Sequence, residues 1–205
     1  MKNLLALIIT VIFFAGCSGL NRQVSQIKAL EDCKYLINSV DSITVANVNV
    51  KDLIGKDKMD LAKMPRLALA LLRKNVPLRA RVNLVINNPS DKLAAINQFE
   101  YKVLVKNQEL AGGVIDRKIS VSPNGGSTTV PIEINSNIYN ILSDDKAMNA
   151  IADFILEGGA DGTSNKEKKG VITVKIKPTL DWGNKQIQYP GYITIDKEIS
   201  SKNFF

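Results

Sequence analysis

Between residues 78 and 134 the chain alternates apolar and polar positions with a period of two. Leu78, Ala80, Val82, Leu84 and Ile86 fall on one side of an extended run, with Arg79, Arg81 and Asn83 on the other. Phe99, Tyr101, Val103 and Val105 then alternate with Glu100, Lys102 and Lys106, and the polar tip Lys106-Asn107-Gln108 turns the chain into Leu110-Ala111-Gly112-Gly113. Thr128, Val130, Ile132 and Ile134 line one face of a further run, and Ile172, Val174 and Ile176 alternate with Thr173, Lys175 and Lys177. Strict alternation buries one face of a strand and wets the other, as in an antiparallel sandwich. The β-branched stretches Ser42-Ile43-Thr44-Val45 and Val48-Asn49-Val50 add strands before this region, and Ile187 to Ile195 adds one after it. Pro190-Gly191 breaks that last run, which predicts a bulge or an edge position. Turn signals stand at Ser122-Pro123-Asn124-Gly125-Gly126 and Asp181-Trp182-Gly183-Asn184. About seven turn-separated strands predict an all-β fold, an immunoglobulin/fibronectin type III-like antiparallel β-sandwich.

Two stretches carry a helical period instead and predict two helical insertions. Pro65 suits a first helical turn, where its missing N–H costs nothing. Leu67, Ala68, Leu71 and Leu72 follow as an apolar stripe, with Arg73-Lys74 at the negative end of the helix dipole. This helix is too short to cross a bilayer and is expected to plug one end of the sandwich. Leu67, Leu71 and Leu72 are the candidate contacts for an apolar ligand or a membrane. Residues 135–157 form the second insertion, with Ser143 or Asp144 able to cap its second piece and Gly158-Gly159 ending it. Trp182, the single Trp, is expected to cap a sandwich end.

The N-terminus changes the picture. Lys2 precedes an apolar run from Leu4 to Ala15, which has the charged start and short apolar core of an export signal. It ends in Phe14-Ala15-Gly16-Cys17, which resembles a bacterial lipobox, with Phe14 standing where that motif usually has Leu. The resemblance implies removal of residues 1–16 and acylation of Cys17, and two or three acyl chains hold a protein stably on a membrane. Ser18 after the Cys, and no acidic run after it, imply an outer-membrane anchor facing the periplasm of a bacterial envelope. The expected organisation is a signal peptide (1–16), a lipidated tether (17–33), a sandwich domain (34–199) and a C-terminal tail (200–205). Val24, Ile27 and Leu30 sit at helical intervals, so the tether region includes a candidate short leading helix.

Composition and charge mostly exclude. The 205 residues contain no His, which removes the most versatile general base and a common metal ligand. The formal charge is +7, but the 27 basic residues are scattered rather than gathered beside aromatics, so a nucleic-acid partner is not expected. Asp52, Asp57 and Asp60 lack the spacing of a calcium loop, and no metal site or cofactor is expected. Once Cys17 is acylated, Cys33 has no disulfide partner, and it is read as a small buried apolar residue. Asp144-Asp145 is explained by a helix N-terminus, and no nucleophile–base pair or phosphate-cradling loop is visible. An enzyme is not expected.

The central region resembles a family. Asn88-Pro89, then Leu93-Ala94-Ala95-Ile96-Asn97-Gln98-Phe99-Glu100-Tyr101, then Glu109-Leu110-Ala111-Gly112-Gly113, and later Pro123-Asn124-Gly125-Gly126-Ser127-Thr128-Thr129-Val130-Pro131-Ile132 are similar to the late embryogenesis abundant group 2 domain, also called the WHy domain. The tip Lys106-Asn107-Gln108 departs from the family, which often has Gly there, and implies a different turn. The resemblance implies a small β-sandwich linked with desiccation and stress protection, without an enzymatic site. Its motif residues Asn87, Asn88, Pro89, Tyr101, Gly112 and Gly113 are expected to be structural: Pro89 ends a strand, the asparagines shape a bend, and the glycines permit close packing. Three functions fit: a lipid-anchored protective or maintenance protein of the envelope, a carrier of lipid or another apolar ligand, and a module that pairs with an envelope protein through an edge strand.

Overall fold

The computed structural model describes residues 25–26, 28–50, 65–158, 170–182 and 185–199. The signal-like start, Cys17, the aspartate-bearing loop and the Gly183-Asn184 turn lie outside the described residues, as does the tail. Strands follow in the order β1 (Lys34–Val45), β2 (Val48–Asn49), β3 (Pro77–Asn88), β4 (Ala94–Ile96), β5 (Gln98–Val105), β6 (Gln108–Ile115), β7 (Ile119–Val121), β8 (Gly126–Asn137), β9 (Gly170–Trp182), β10 (Lys185–Gln188) and β11 (Ile193–Ile199). The helices are α1 (Pro65–Leu72), α2 (Tyr139–Leu142) and α3 (Asp145–Gly158). Setting aside the short β2, β4, β7 and β10 leaves seven longer strands, so the fold is the expected all-β sandwich.

One sheet runs β2-β1-β3-β8 and the other β10-β9-β5-β6, with β11 sharing the β10 edge of β9. Every pairing is antiparallel. The short strands β4 and β7 form a small ladder of their own. Alternation places Leu78, Val82, Leu84 and Ile86 of β3 and Val130, Ile132 and Ile134 of β8 against Phe99, Tyr101 and Val103 of β5 and Val174 and Ile176 of β9, in one core. Each large aliphatic side chain so buried contributes about 1.5–3 kcal/mol relative to exposure. That core begins before β1: residues 28–32 are helical, and Ala29, Leu30 and Cys33 are buried in it.

The β-sheets are stitched together at both sides. On one side, Ser136 Oγ of β8 donates to the Leu110 carbonyl of β6 at 2.8 Å, and the Tyr101 hydroxyl donates to the Glu133 carbonyl at 3.2 Å. On the other, Lys197 Nζ of β11 donates to the β1 carbonyl of Ile37 at 2.9 Å and also to that of Asn38. These carbonyls lie where β1 slips register against β3, between Ile37 and Ser39. An irregularity of that kind frees backbone groups from the ladder, and the ammonium satisfies them.

Two boundaries differ from the sequence expectation. The helical pattern from Asn135 gives way to strand through Asn137, because these residues pair with Pro77 to Arg79 of β3. Asn137 Oδ1 then accepts from the N–H groups of Val76 (2.9 Å) and Tyr139 (3.0 Å), closing the strand and opening α2. Asp144, not Ser143, caps the second piece: its Oδ1 accepts the Ala147 N–H at 2.8 Å. Pro190-Gly191 divides the last run into β10 and β11.

Candidate functional site

The motif residues cluster at the end of the sandwich where β3 stops. Asn88 is fully buried, and its amide is saturated. Nδ2 donates to the carbonyls of Lys92 (2.7 Å) and Val121 (3.1 Å), while Oδ1 accepts from the Ser90 N–H (3.1 Å) and hydroxyl (2.7 Å). Its own carbonyl accepts the Gly125 N–H at 2.8 Å. Asn87, partly exposed, donates from Nδ2 to the Gly125 carbonyl at 3.3 Å. Pro89 follows the last paired residue of β3 and is exposed. This end is therefore a hydrogen-bonded knot joining the β3–β4 bend to β7 and to the turn before β8.

The second motif cluster is the Tyr101–Gly113 pair, directly opposite each other on β5 and β6. A Cβ placed on Gly113 would lie 2.9 Å from the Tyr101 hydroxyl oxygen and 3.0–3.1 Å from ring carbons. Glycine at this position lets the ring pass over β6 and deliver its hydroxyl to β8. Gly112 faces the other way, where an added Cβ would meet the Glu109 carboxylate at 3.1 Å. That carboxylate pairs with Lys102 Nζ at 2.8 Å, and the pair raises the Lys102 pKa above its ordinary value. Nearby, Lys102 and Lys177 stand 6.0 and 5.8 Å from the Tyr192 ring centroid. The Tyr192 hydroxyl donates to Glu100, which raises its pKa.

The opposite end of the sandwich carries α1. Its three predicted contact residues separate: Leu67 is 5% exposed within the core, Leu71 is half-buried against it, and Leu72 is 81% exposed. Burial commits Leu67 to packing, so the solvent-facing apolar pair is Leu72 and Leu69, the latter not anticipated. Beside the helix lies a cleft of about 410 Å³ lined by Ala46, Asn47, Arg66, Leu69, Ala70, Arg73, Asn75 and Pro77. Ala46 and Asn47 form the β1–β2 turn with φ of 51° and 61°, and the Ala46 N–H donates to the Pro77 carbonyl at 2.9 Å, holding the turn against the start of β3. The cleft thus joins the β1–β2 turn to the stretch from α1 to the start of β3.

Cys33 is buried, and burial, then the neighbouring Asp32 carboxylate, pushes its thiol up to about 11. A protonated thiol is a poor nucleophile and a poor ligand. Among the described residues no group of three or more His, Cys, Asp or Glu is placed to hold a metal ion. Nor, among them, is any helix long and apolar enough to cross a membrane.

Fold and packing place the chain among antiparallel β-sandwich proteins. No protein-family model matches it, and no curated protein matches it in sequence. It is similar to a crystal structure of a protein from Archaeoglobus fulgidus, with 15% identity and a TM-score of 0.34 over 79% of this chain and 97% of that one. It is also similar to a solution structure provisionally named a late embryogenesis abundant (LEA) protein, with 14% identity and a TM-score of 0.35 over 100% of this chain and 92% of that one. Likenesses this distant concern the course of the chain and carry no function.

Proposed function

We propose that this chain is a non-catalytic, lipid-anchored protein of the bacterial envelope whose LEA type 2-like domain serves stress protection or envelope maintenance. The observation that carries the reading is how the motif residues are used. Asn88 spends every side-chain hydrogen-bonding position on its own fold, three on backbone groups and one on the Ser90 hydroxyl, and Tyr101, given room by Gly113, spends its hydroxyl on joining the sheets. A motif consumed by scaffolding supports a role for the folded domain itself. The lipobox-like Phe14-Ala15-Gly16-Cys17 supports anchoring, and Ser18 supports an outer-membrane address on the periplasmic side. Fractionation of cells expressing Cys17→Ser tests the anchor: the variant is expected in the soluble fraction, and equal membrane retention sinks it. Survival of drying by a deletion strain, with and without the restored gene, tests the protective role. A second reading, a carrier of an apolar ligand, is favoured by one observation, the cleft beside α1 with Leu69 46% exposed in its wall.

A further inference from the structure

We propose that the cleft beside α1 binds an anionic amphiphile, a molecule with a carboxylate or phosphate head and an apolar tail. This deepens the carrier reading and is independent of whether Cys17 is acylated. Arg66 in α1 and Arg73 just past its end both line the cleft, and the Arg73 N–H still bonds the Leu69 carbonyl, so a spacing of seven residues sets them on the same side, about 10 Å apart along the axis. Leu69 stands between them at the third and fourth positions, so an apolar side chain is flanked by two guanidinium groups. Ala46, Ala70 and Pro77 complete the apolar lining, and the Asn47 and Asn75 amides supply further polar groups. The volume falls within the range of about 300–1,000 Å³ typical of small-ligand sites.

Charge selects the ligand class. Among the described residues no Asp or Glu lines the cleft, and neither arginine forms an ion pair. Arg73, just past the end of α1, gains from the helix dipole. Arg66 in the first turn opposes it, and no acidic residue in that turn offsets the charge. The helix dipole disfavours a cation at Arg66, and an anion bound beside it offsets that cost. Guanidinium groups match the forked oxygens of carboxylate and phosphate. Among the described residues the lining holds no aromatic ring on which a nucleobase could stack, and Leu69 calls for a tail rather than a bare ion.

The test uses the full chain in bacterial membranes and a photoreactive, diazirine-bearing medium-chain fatty acid, beside its neutral alcohol analogue. The fatty acid is expected to label the peptide spanning residues 65–77. Labelling should fall about tenfold in Arg66→Gln/Arg73→Gln, as for loss of one charge-assisted contact. It should be unchanged in Lys175→Gln/Lys177→Gln, which removes the same charge from the second sheet. A Leu69→Gln variant should weaken labelling while keeping both arginines, and circular dichroism confirms that each variant is folded. Equal labelling by the alcohol, equal labelling of the double arginine variant, or labelling away from the cleft overturns the proposal. So does suppression by inorganic phosphate as effective as that by unlabelled fatty acid, which would mark a site for free anions. Solubility of Cys17→Ser bears on the anchor alone, so the two ideas fail separately.

Discussion

At Asn88 one fully buried side chain makes four hydrogen bonds, and the energetic consequence depends on which atom is changed. Asn88→Ala removes all four and takes a donor each from the Lys92 and Val121 carbonyls, leaving Lys92 only the Ser90 hydroxyl, an expected loss of about 3 kcal/mol. Asn88→Asp keeps the shape and both accepted bonds, yet turns a carboxylate oxygen toward those carbonyls. It should cost at least as much, and a near-neutral Asn88→Asp in urea unfolding would show that the donated bonds matter little. The local half of this arrangement, Asn88 with Ser90 and Lys92, was legible in the sequence, because asparagine bonds nearby backbone at bends. The bond to Val121, 33 residues away, was not, since only the fold brings β7 there. Cys33 was legible as a buried apolar residue, and it adds a pH dependence. Its thiol keeps its proton up to about 11 in the folded chain against an ordinary value of 9.0. Between those values the unfolded chain binds fewer protons, so stability should be level below pH 9.0 and fall as pH rises toward 11. Unfolding followed across that range should show the decline in the native protein and lose this part of it in Cys33→Ala.

Elements with a sustained period of two, β3, β5, β8 and β9, were readable because one face of each is buried along nearly its whole length. The start of the second insertion was not. Asn135, Ser136 and Asn137 are weak helix formers, but as polar residues they do not carry on the apolar alternation of β8, and it is pairing with β3 that keeps them extended. The cleft was equally invisible: Leu69 and Arg66 look like an ordinary polar-rimmed helix until the Ala46-Asn47 turn and Pro77 are packed beside them. The tip of the β5–β6 hairpin shows how a departure is absorbed. Lys106 and Asn107 take φ of 48° and 66°, a pair of left-handed residues, and asparagine stands in where glycine would be easiest. Deeper in that hairpin the Tyr101–Gly113 pair couples β5 to β6. Gly113→Ala should destabilise by about 1–3 kcal/mol through the collision with the ring. In a Tyr101→Ala background the same substitution should cost much less, and equal costs in both backgrounds would exclude the ring as the cause.

For the molecule as a whole, closure of the sandwich rests on a few side chains reaching across sheet edges. An open edge invites pairing with other chains, and a bridge to its carbonyls is one way of blunting it. Lys197→Met should cost about 1.5–3 kcal/mol, the worth of hydrogen bonds to a charged group, and should speed amide exchange in the first half of β1 and in β11. Unchanged exchange there would mean that core packing alone holds this side shut. The overall sandwich was predictable from pattern; these bridges were not, because nothing in the spacing of Lys197 relates it to residues about 160 positions earlier.

The strand order also fixes where the chain enters and leaves. β1 begins beside Asn87, at the Asn88 end, and β11 finishes beside Gly170, farther along than the point where Lys197 meets Ile37 of β1. A pull applied through the two termini therefore runs along the strands rather than across them. The hydrogen bonds between β1 and β3 would be loaded together in shear, instead of opening one after another like a zipper. A domain strung this way resists stretching along its long axis far better than its thermodynamic stability alone would indicate.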